Sequence, residues 1–287
     1  MKTHSEDERE RRAYWTRQMD GAYELMLAVR DYPVEECGEP LAPLRDAVSA
    51  SGVKVLFSEL PHVRGLPRLH FLRRGLLQDF LAAAKEMNAR GWALKIEDAF
   101  RTREMQKHNA LRPEVFPFVL SKTTWELGGK TPSVDLLSRR LAAVIAMSPK
   151  VGTHCIGSAI DVSVIDLDGE EVGRGAPYLE MSERTPMGSP FVPEDARKNR
   201  MEITAVMARH GFRTYQFEFW HYNKGDAFDE YLAGSGAPAR YGAVDLDTDT
   251  GAVTPIADPT RPLNTDAEIE SMIQQAMRQG GARKGEA

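Results

Sequence analysis

The stretch GTHCIGSAIDVSVIDLDG, residues 152–169, sets a histidine and an aspartate seven positions apart across a small-residue turn and the opening of a strand. If Ala159 onward is extended, Ile160 and Val162 point one way and Asp161 points the other, alone towards a cleft. Gly157 and Ser158 leave room for His154 to approach that strand closely. Asp168-Gly169 reads as a hairpin turn. Farther along, QFEFWHYN, residues 216–223, offers Glu218 and His221 among aromatic residues.

Two imidazoles and one carboxylate are a sufficient protein ligand set for a catalytic metal, which keeps one position open. His154, Asp161 and His221 can supply that set, and Glu218 can act as a general base beside it without being a ligand. Each residue also has a plainer reading. Asp161 can be a turn or capping residue, and Glu218 and His221 can be polar positions on a solvent-facing strand. The patterns H-x6-D and E-x2-H are short enough to occur by chance. A geometric condition also applies. Residues three apart on a regular strand face opposite sides, so Glu218 and His221 can share a site only if the strand ends or bulges around Trp220.

Outward from these segments, the chain reads as helices and short strands. Tyr14, Trp15, Met19, Tyr23, Met26 and Leu27 recur at helical spacing within residues 5–30 and form a docking face. Residues 32–68 read as irregular, with short strands such as VKVLF. FLRRGLLQDFLAAAKEMNARG predicts a helix over about 71–90, stopped by Gly91. WALKIEDAF then alternates as a half-buried strand does. Residues 111–132 carry Pro113, Pro117, Gly128, Gly129 and Pro132 and read as a long loop. SVDLLSRRLAAVIAMS predicts a helix N-capped by Ser133, Pro193 opens another that runs to about His210, and FRTYQFEFWHY closes the core as an aromatic strand. Thr265 and Glu268 make a capping-box signature before a helix with Ile269, Met272, Ile273 and Ala276 on one face. The last residues, GGARKGEA (280–287), are expected to be disordered.

Composition narrows the function classes. With 42% hydrophobic and 28% charged residues in 287, the chain is an ordinary globular protein of one large domain or two small ones. A net charge of −5 provides no basic field for nucleic acid or an anionic membrane. No run approaches the roughly 18 apolar residues of a membrane span. MKTHSEDERERRAYW is not followed by an apolar segment, so no secretory signal and a cytoplasmic location are expected. Cys37 and Cys155 alone make no disulfide framework, and Cys155 is expected to point away from the ion if the backbone there is extended. His210, before Gly211, suits a helix C-terminus, and His62, His70 and His108 have no partner spacing. DLDTDTG, residues 245–251, does not fit a calcium loop, because its glycine is one place late and Ile256 stands where a bidentate glutamate belongs.

Taken together, THCIGSAIDVSVIDLDGEEVGRGAPYLEMSERT (153–185) and EFWHY (218–222) resemble the D-alanyl-D-alanine dipeptidases, the VanX-like zinc metallopeptidases. That family's S-x-H-x-x-G-x-A-x-D and E-x-W-H patterns are met by His154, Gly157, Ala159 and Asp161, then by Glu218, Trp220 and His221. ARKNRMEITAVMARHGF also looks like the family's helix, and the resemblance covers about residues 70–230. It implies one zinc ion per chain held by His154, Asp161 and His221, with Glu218 as catalytic base. It also implies that Arg101, in EDAFRTREMQ, stabilises the transition state, as a fixed guanidinium suits an oxyanion. The plainer reading of Arg101 is a surface pair with Glu97, Asp98 or Glu104, and Arg103 is a weaker catalytic candidate.

Three positions depart from the family pattern. Gly152 replaces the serine two places before the first ligand. Leu179 stands where the dipeptidases carry a carboxylate for the substrate amine, which makes the neighbouring Glu180 the candidate substrate contact. Gln106, five places after Arg101, looks closer to the related D,D-carboxypeptidases and is a second candidate substrate contact. The expected fold is α+β: a small, mainly antiparallel sheet bearing the zinc site, helices packed on one side, and extra helices at both termini. The core is expected over 71–231, with extensions over 1–70 and 232–287. The expected function is hydrolysis of D-alanyl-D-alanine or a similar short D-amino-acid peptide. The alternatives are a D,D-carboxypeptidase for longer cell-wall peptides and an inactive zinc-stabilised binding module.

Overall fold

The computed structural model describes residues 4–61 and 63–282. Helix α1 (His4–Asp31) comes first, and its Trp15, Met19, Ala22, Leu25 and Val29 form one buried stripe. Strand β1 (Leu41–Pro43), α2 (Leu44–Ser51) and β2 (Val55–Phe57) follow. Next are β3 (Phe71–Arg73), α3 (Leu77–Ala89), β4 (Ala93–Asp98) and α4 (Arg103–Ala110). Helices α5 (Val115–Glu126) and α6 (Val134–Val144) lead to the short α7 (Thr153–Ile156) and the long β5 (Ala159–Ile165). Then come α8 (Glu194–Arg209), β6 (Arg213–Thr214), β7 (His221–Asn223) and α9 (Ala227–Ala233). The chain closes with the hairpin β8 (Val244–Leu246) and β9 (Val253–Pro255), and with α10 (Asp266–Ala282).

The main sheet has the order β2-β4-β5-β7-β6, with β2 parallel to β4 and every other pair antiparallel. The fold is therefore α+β. One face of the sheet is apolar: Leu94, Ile96, Ile160, Val162 and Val164 pack against Phe80, Ala83 and Met87 of α3 and Ile203, Val206 and Met207 of α8. Asp161 and Ser163 alternate to the opposite face, as a period of two requires. Beyond that face, α1 packs on α6, and α5 and α6 pack on α10 through Ile269, Ile273 and Ala276. The Thr265–Glu268 capping box that starts α10 is formed, with Thr265 N–H on Glu268 Oε2 at 2.8 Å and Glu268 N–H on Thr265 Oγ1 at 3.2 Å.

Several segments differ from the sequence expectation, each for a local reason. Residues 111–132 are not a loop, because α5 runs through them. Pro117 falls in its first turn, where the backbone N–H has no helical partner to lose, and the helix ends before Gly128 and Gly129. Residues 71–73, expected as helix, pair with β1, and α3 starts only at Leu77. The pairing is anchored by Arg73, whose buried guanidinium donates to the carbonyls of Ile156, Glu39 and Gly242 and to the Glu36 carboxylate. Strand β4 is buried on both faces rather than one: α3 and α8 cover Leu94 and Ile96, and Ala93 and Glu97 on the opposite face are also buried. Helix α2 lies within the stretch expected to be irregular. The aromatic strand divides in two: β6 and β7 are separate, and residues 215–220 turn between them. Gly280–Ala282 continue α10, whereas residues 283–287 and His62 lie outside the described residues.

Phe80 is fully buried in the apolar layer, and Met201 is 71% exposed on α8. Truncating Phe80 to alanine is expected to cost about 3–5 kcal/mol of stability, whereas Met201→Ala should change it by less than about 0.5 kcal/mol. Paired denaturant titrations check the contrast.

Candidate metal centre

His154 sits on α7, a single helical turn, so the extended backbone on which the reading of Cys155 depends is not what forms there. The turn stops at Gly157, which takes φ 74° and donates its N–H to the His154 carbonyl. A side chain at Gly157 would strike Leu41, with 2.3 Å between a Cβ and Leu41 Cδ2, so glycine is required both for the backbone and for the space. Cys155, on the same turn, is fully buried, and its sulfur does not join the cluster of donor atoms that His154, Asp161 and His221 form.

Strands β5 and β7 provide the other two donors. Their register puts Asp161 directly opposite His221. His221 Nδ1 lies 2.8 Å from Asp161 Oδ1, and His154 Nε2 lies 3.4 Å from the same oxygen. The three residues offer ligand atoms that all lie within 4.8 Å of one another, and all three are buried. The far side of each donor is held by the protein. His154 Nδ1 meets the Ala99 carbonyl, which can only accept, so Nδ1 carries a hydrogen and Nε2 is the nitrogen turned towards Asp161. His221 Nε2 lies 3.0 Å from Thr153 Oγ1, and the Tyr178 hydroxyl donates to Asp161 Oδ2 at 2.9 Å. Burial would raise the Asp161 carboxyl, but the charges and hydrogen bonds of His154 and His221 outweigh it and hold the group well below the usual carboxylate range. An ionised carboxylate and two oriented imidazoles fit a zinc ion, and three protein donors rather than four fit a catalytic site more than a structural one.

Glu218 and Arg101 line the same cavity. Glu218 lies in the turn between β6 and β7, where its N–H donates to Tyr215 O and its carbonyl accepts from His221 N–H. β7 thus begins only after Trp220, which is the irregularity needed for Glu218 and His221 to share a site. Burial pushes the Glu218 carboxyl up to about 7; His221 and Arg101 oppose this and Asp161 adds to it. Arg101 follows β4. Its Nε donates to Asp98 Oδ2 at 2.7 Å, and its guanidinium lies 3.8 Å from Asp161 Oδ2. The pairing with Asp98 is therefore real, but it is buried, and it aims the guanidinium into the cavity. Arg103 faces outward to Asp245.

The two candidate substrate contacts are placed differently. Gln106 reaches the cavity wall with both ends of its amide engaged, accepting from Arg101 at 3.2 Å and donating to Ala146 O at 2.9 Å. It braces Arg101. Glu180 does not line the cavity, because Arg184 and Ser182 bind its carboxylate, while Tyr178, Leu179 and Met181 on either side of it do line the wall. Thr153 and Tyr178 escaped sequence reasoning. Neither has a spacing signal, and only the fold brings them to the ligands.

The family pattern of Peptidase_M15, described as D-ala-D-ala dipeptidase, matches residues 71–234. Three similar proteins are each named D-alanyl-D-alanine dipeptidase. The protein from Enterococcus faecium is 28% identical over 51% of this chain and 69% of its own length. That from Synechocystis sp. is 24% identical over 68% of this chain and 85% of its own length. That from Escherichia coli is 38% identical over 24% of this chain, and the matched segment spans only 36% of that protein.

Purified protein reconstituted with zinc is expected to hold about one ion per chain by elemental analysis, and His154→Ala or Asp161→Ala to hold almost none. Tyr178→Phe should keep the ion but bind it roughly tenfold or more weakly in a chelator competition, because Asp161 loses the donor that orients it.

Proposed function

The chain belongs to the D-ala-D-ala dipeptidase family, Peptidase_M15, and on that premise we propose that it is a zinc-dependent dipeptidase that hydrolyses D-alanyl-D-alanine or a similar short D-amino-acid peptide. One observation carries the reading: His154 Nε2, Asp161 Oδ1 and His221 Nδ1 converge at the wall of a cavity that Glu218 and Arg101 also line. His154, Asp161 and His221 would hold the ion, which there would supply Lewis acidity towards the scissile carbonyl and lower the pKa of the attacking water.

The protein's own groups account for the remaining chemistry. Glu218, whose carboxyl lies near neutrality in its buried setting, accepts a proton from the attacking water and returns it to the leaving amine. Burial works against the charge of Arg101, but the carboxylates of Asp98 and Asp161 more than compensate, so the guanidinium remains a cation. It donates to the peptide oxygen as negative charge develops there. Asp98 and Gln106 fix its direction, so little reorganisation is needed when that charge appears.

A D,D-carboxypeptidase acting on longer cell-wall peptides is the second reading. It is favoured by the engagement of Glu180 with Arg184, away from the cavity, which leaves a free substrate amine without that partner. Among the described residues no helix is long and apolar enough to cross a membrane.

With zinc added, the wild type is expected to release amine from D-Ala-D-Ala faster than from a muropeptide pentapeptide. Glu218→Ala should lower kcat by about 10²–10⁴, and Arg101→Ala by about 10²–10³, with zinc content unchanged in both. No turnover by wild type, or equal turnover by Glu218→Ala, removes the reading.

A further inference from the structure

The cavity at the metal centre has a volume of about 510 Å³, within the roughly 300–1,000 Å³ of pockets that enclose drug-sized ligands. A dipeptide with two methyl side chains is much smaller than such ligands. His154, Asp161, His221, Glu218 and Arg101 share this cavity, whose lining also includes Arg68, Gln106, Asn109 and Arg112. Much of the remaining wall is apolar. Phe118 of α5, Val144 at the end of α6, Met26 of α1 and Met181 are each only partly buried and turn carbon surface to the cavity. Met26 lies outside the segment that matches the family, so α1 adds a wall to the core.

The charges on the lining sharpen this picture. Of its carboxylates, Asp161 faces the two histidines, Asp98 pairs with Arg101 and Arg68, and Glu114 sits exposed 3.7 Å from Arg112 Nε. Asp161 and Asp98 are thus engaged, Glu218 is used by the chemistry, and Glu114 is solvent-exposed, where pairing with a substrate ammonium is worth little. Affinity beyond the reacting groups can then be gained by burying carbon against the apolar wall, at roughly a fourfold gain for each methylene taken from water.

Resting on the peptidase reading above, we propose that the preferred substrate is a short peptide in which one residue bears a bulky apolar side chain, of leucine or phenylalanine size, seated against Phe118, Val144, Met26 and Met181. A longer cell-wall peptide with charged side chains fits this wall poorly, since each charge would be desolvated without a partner.

The test measures kcat/KM of the zinc-loaded full chain on D-Ala-D-Ala, D-Ala-D-Leu, D-Leu-D-Ala, D-Ala-D-Phe, D-Phe-D-Ala and a muropeptide pentapeptide. At least one bulky dipeptide is expected to exceed D-Ala-D-Ala by about tenfold or more. Val144→Phe, which narrows the apolar end, should reduce that ratio at least tenfold. The wild-type ratio alone is decisive should this variant fail to fold. Preference for D-Ala-D-Ala or for the pentapeptide overturns the inference and leaves the peptidase reading standing. No turnover of any peptide overturns both.

Discussion

The structure is organised around a buried carboxylate. Asp161 is 2% exposed in the middle of a sheet, where an unpaired charge would cost several kcal/mol. It is tolerated because the surroundings answer each oxygen: His154 and His221 face Oδ1, Tyr178 donates to Oδ2, and the Arg101 guanidinium stands nearby. Those partners come from α7, β7, the segment after β5 and the segment after β4. Satisfying one carboxylate thus brings four separate parts of the chain together, and the convergence that stabilises the charge is also the candidate metal centre.

The sheet makes this convergence possible through register. Asp161 lies opposite His221 on β7, and on its other side opposite Asp98 on β4, where the pairing shifts between Ile96 and Asp98. The shift changes the direction of the chain as it leaves β4 towards Arg101, in keeping with the tendency of bulges to gather near active sites. Neighbouring alternate residues, Ile160 and Val162, lock the strand to the apolar layer. A slip by one residue would turn Asp161 into that layer, so hydrophobic burial enforces the position of the acid.

Buried arginines hold the irregular segments around the site. Arg200 donates to the carbonyls of Arg174, Arg184 and Pro186, and its guanidinium stacks 4.1 Å from the Phe219 ring, with Arg174 at 4.7 Å from the same ring. Burial, with Arg174 next in effect, lowers Arg200 to about 10, so it still carries its charge at neutral pH. Phe219 lies between Glu218 and Trp220, and the clamp on it steadies the turn that presents Glu218. The segment bearing Tyr178 and Met181 is fastened in turn through Glu183, which pairs with Arg11 of α1 and Lys122 of α5.

Local patterns were legible wherever the physics is local. The α1 stripe, the Ser133 cap, the Thr265–Glu268 box, the turn at Gly169 and the alternation around Asp161 all follow from neighbours a few residues apart. The proximity of His154, Asp161, His221 and Glu218 was legible through the family resemblance and not through spacing, since H-x6-D and E-x2-H are short enough to occur by chance, whereas the need for a break near Trp220 follows from strand geometry alone. What the sequence could not determine depends on distant partners. The start of α3 yields to pairing with β1, and α5 forms through a proline-rich stretch because α6 and α10 cover it. Glu180 turns to Arg184, Gln106 braces Arg101, and Tyr178 reaches Asp161. Each of these outcomes is a competition among side chains for hydrogen bonds and buried space, and only the assembled fold decides which partners are within reach.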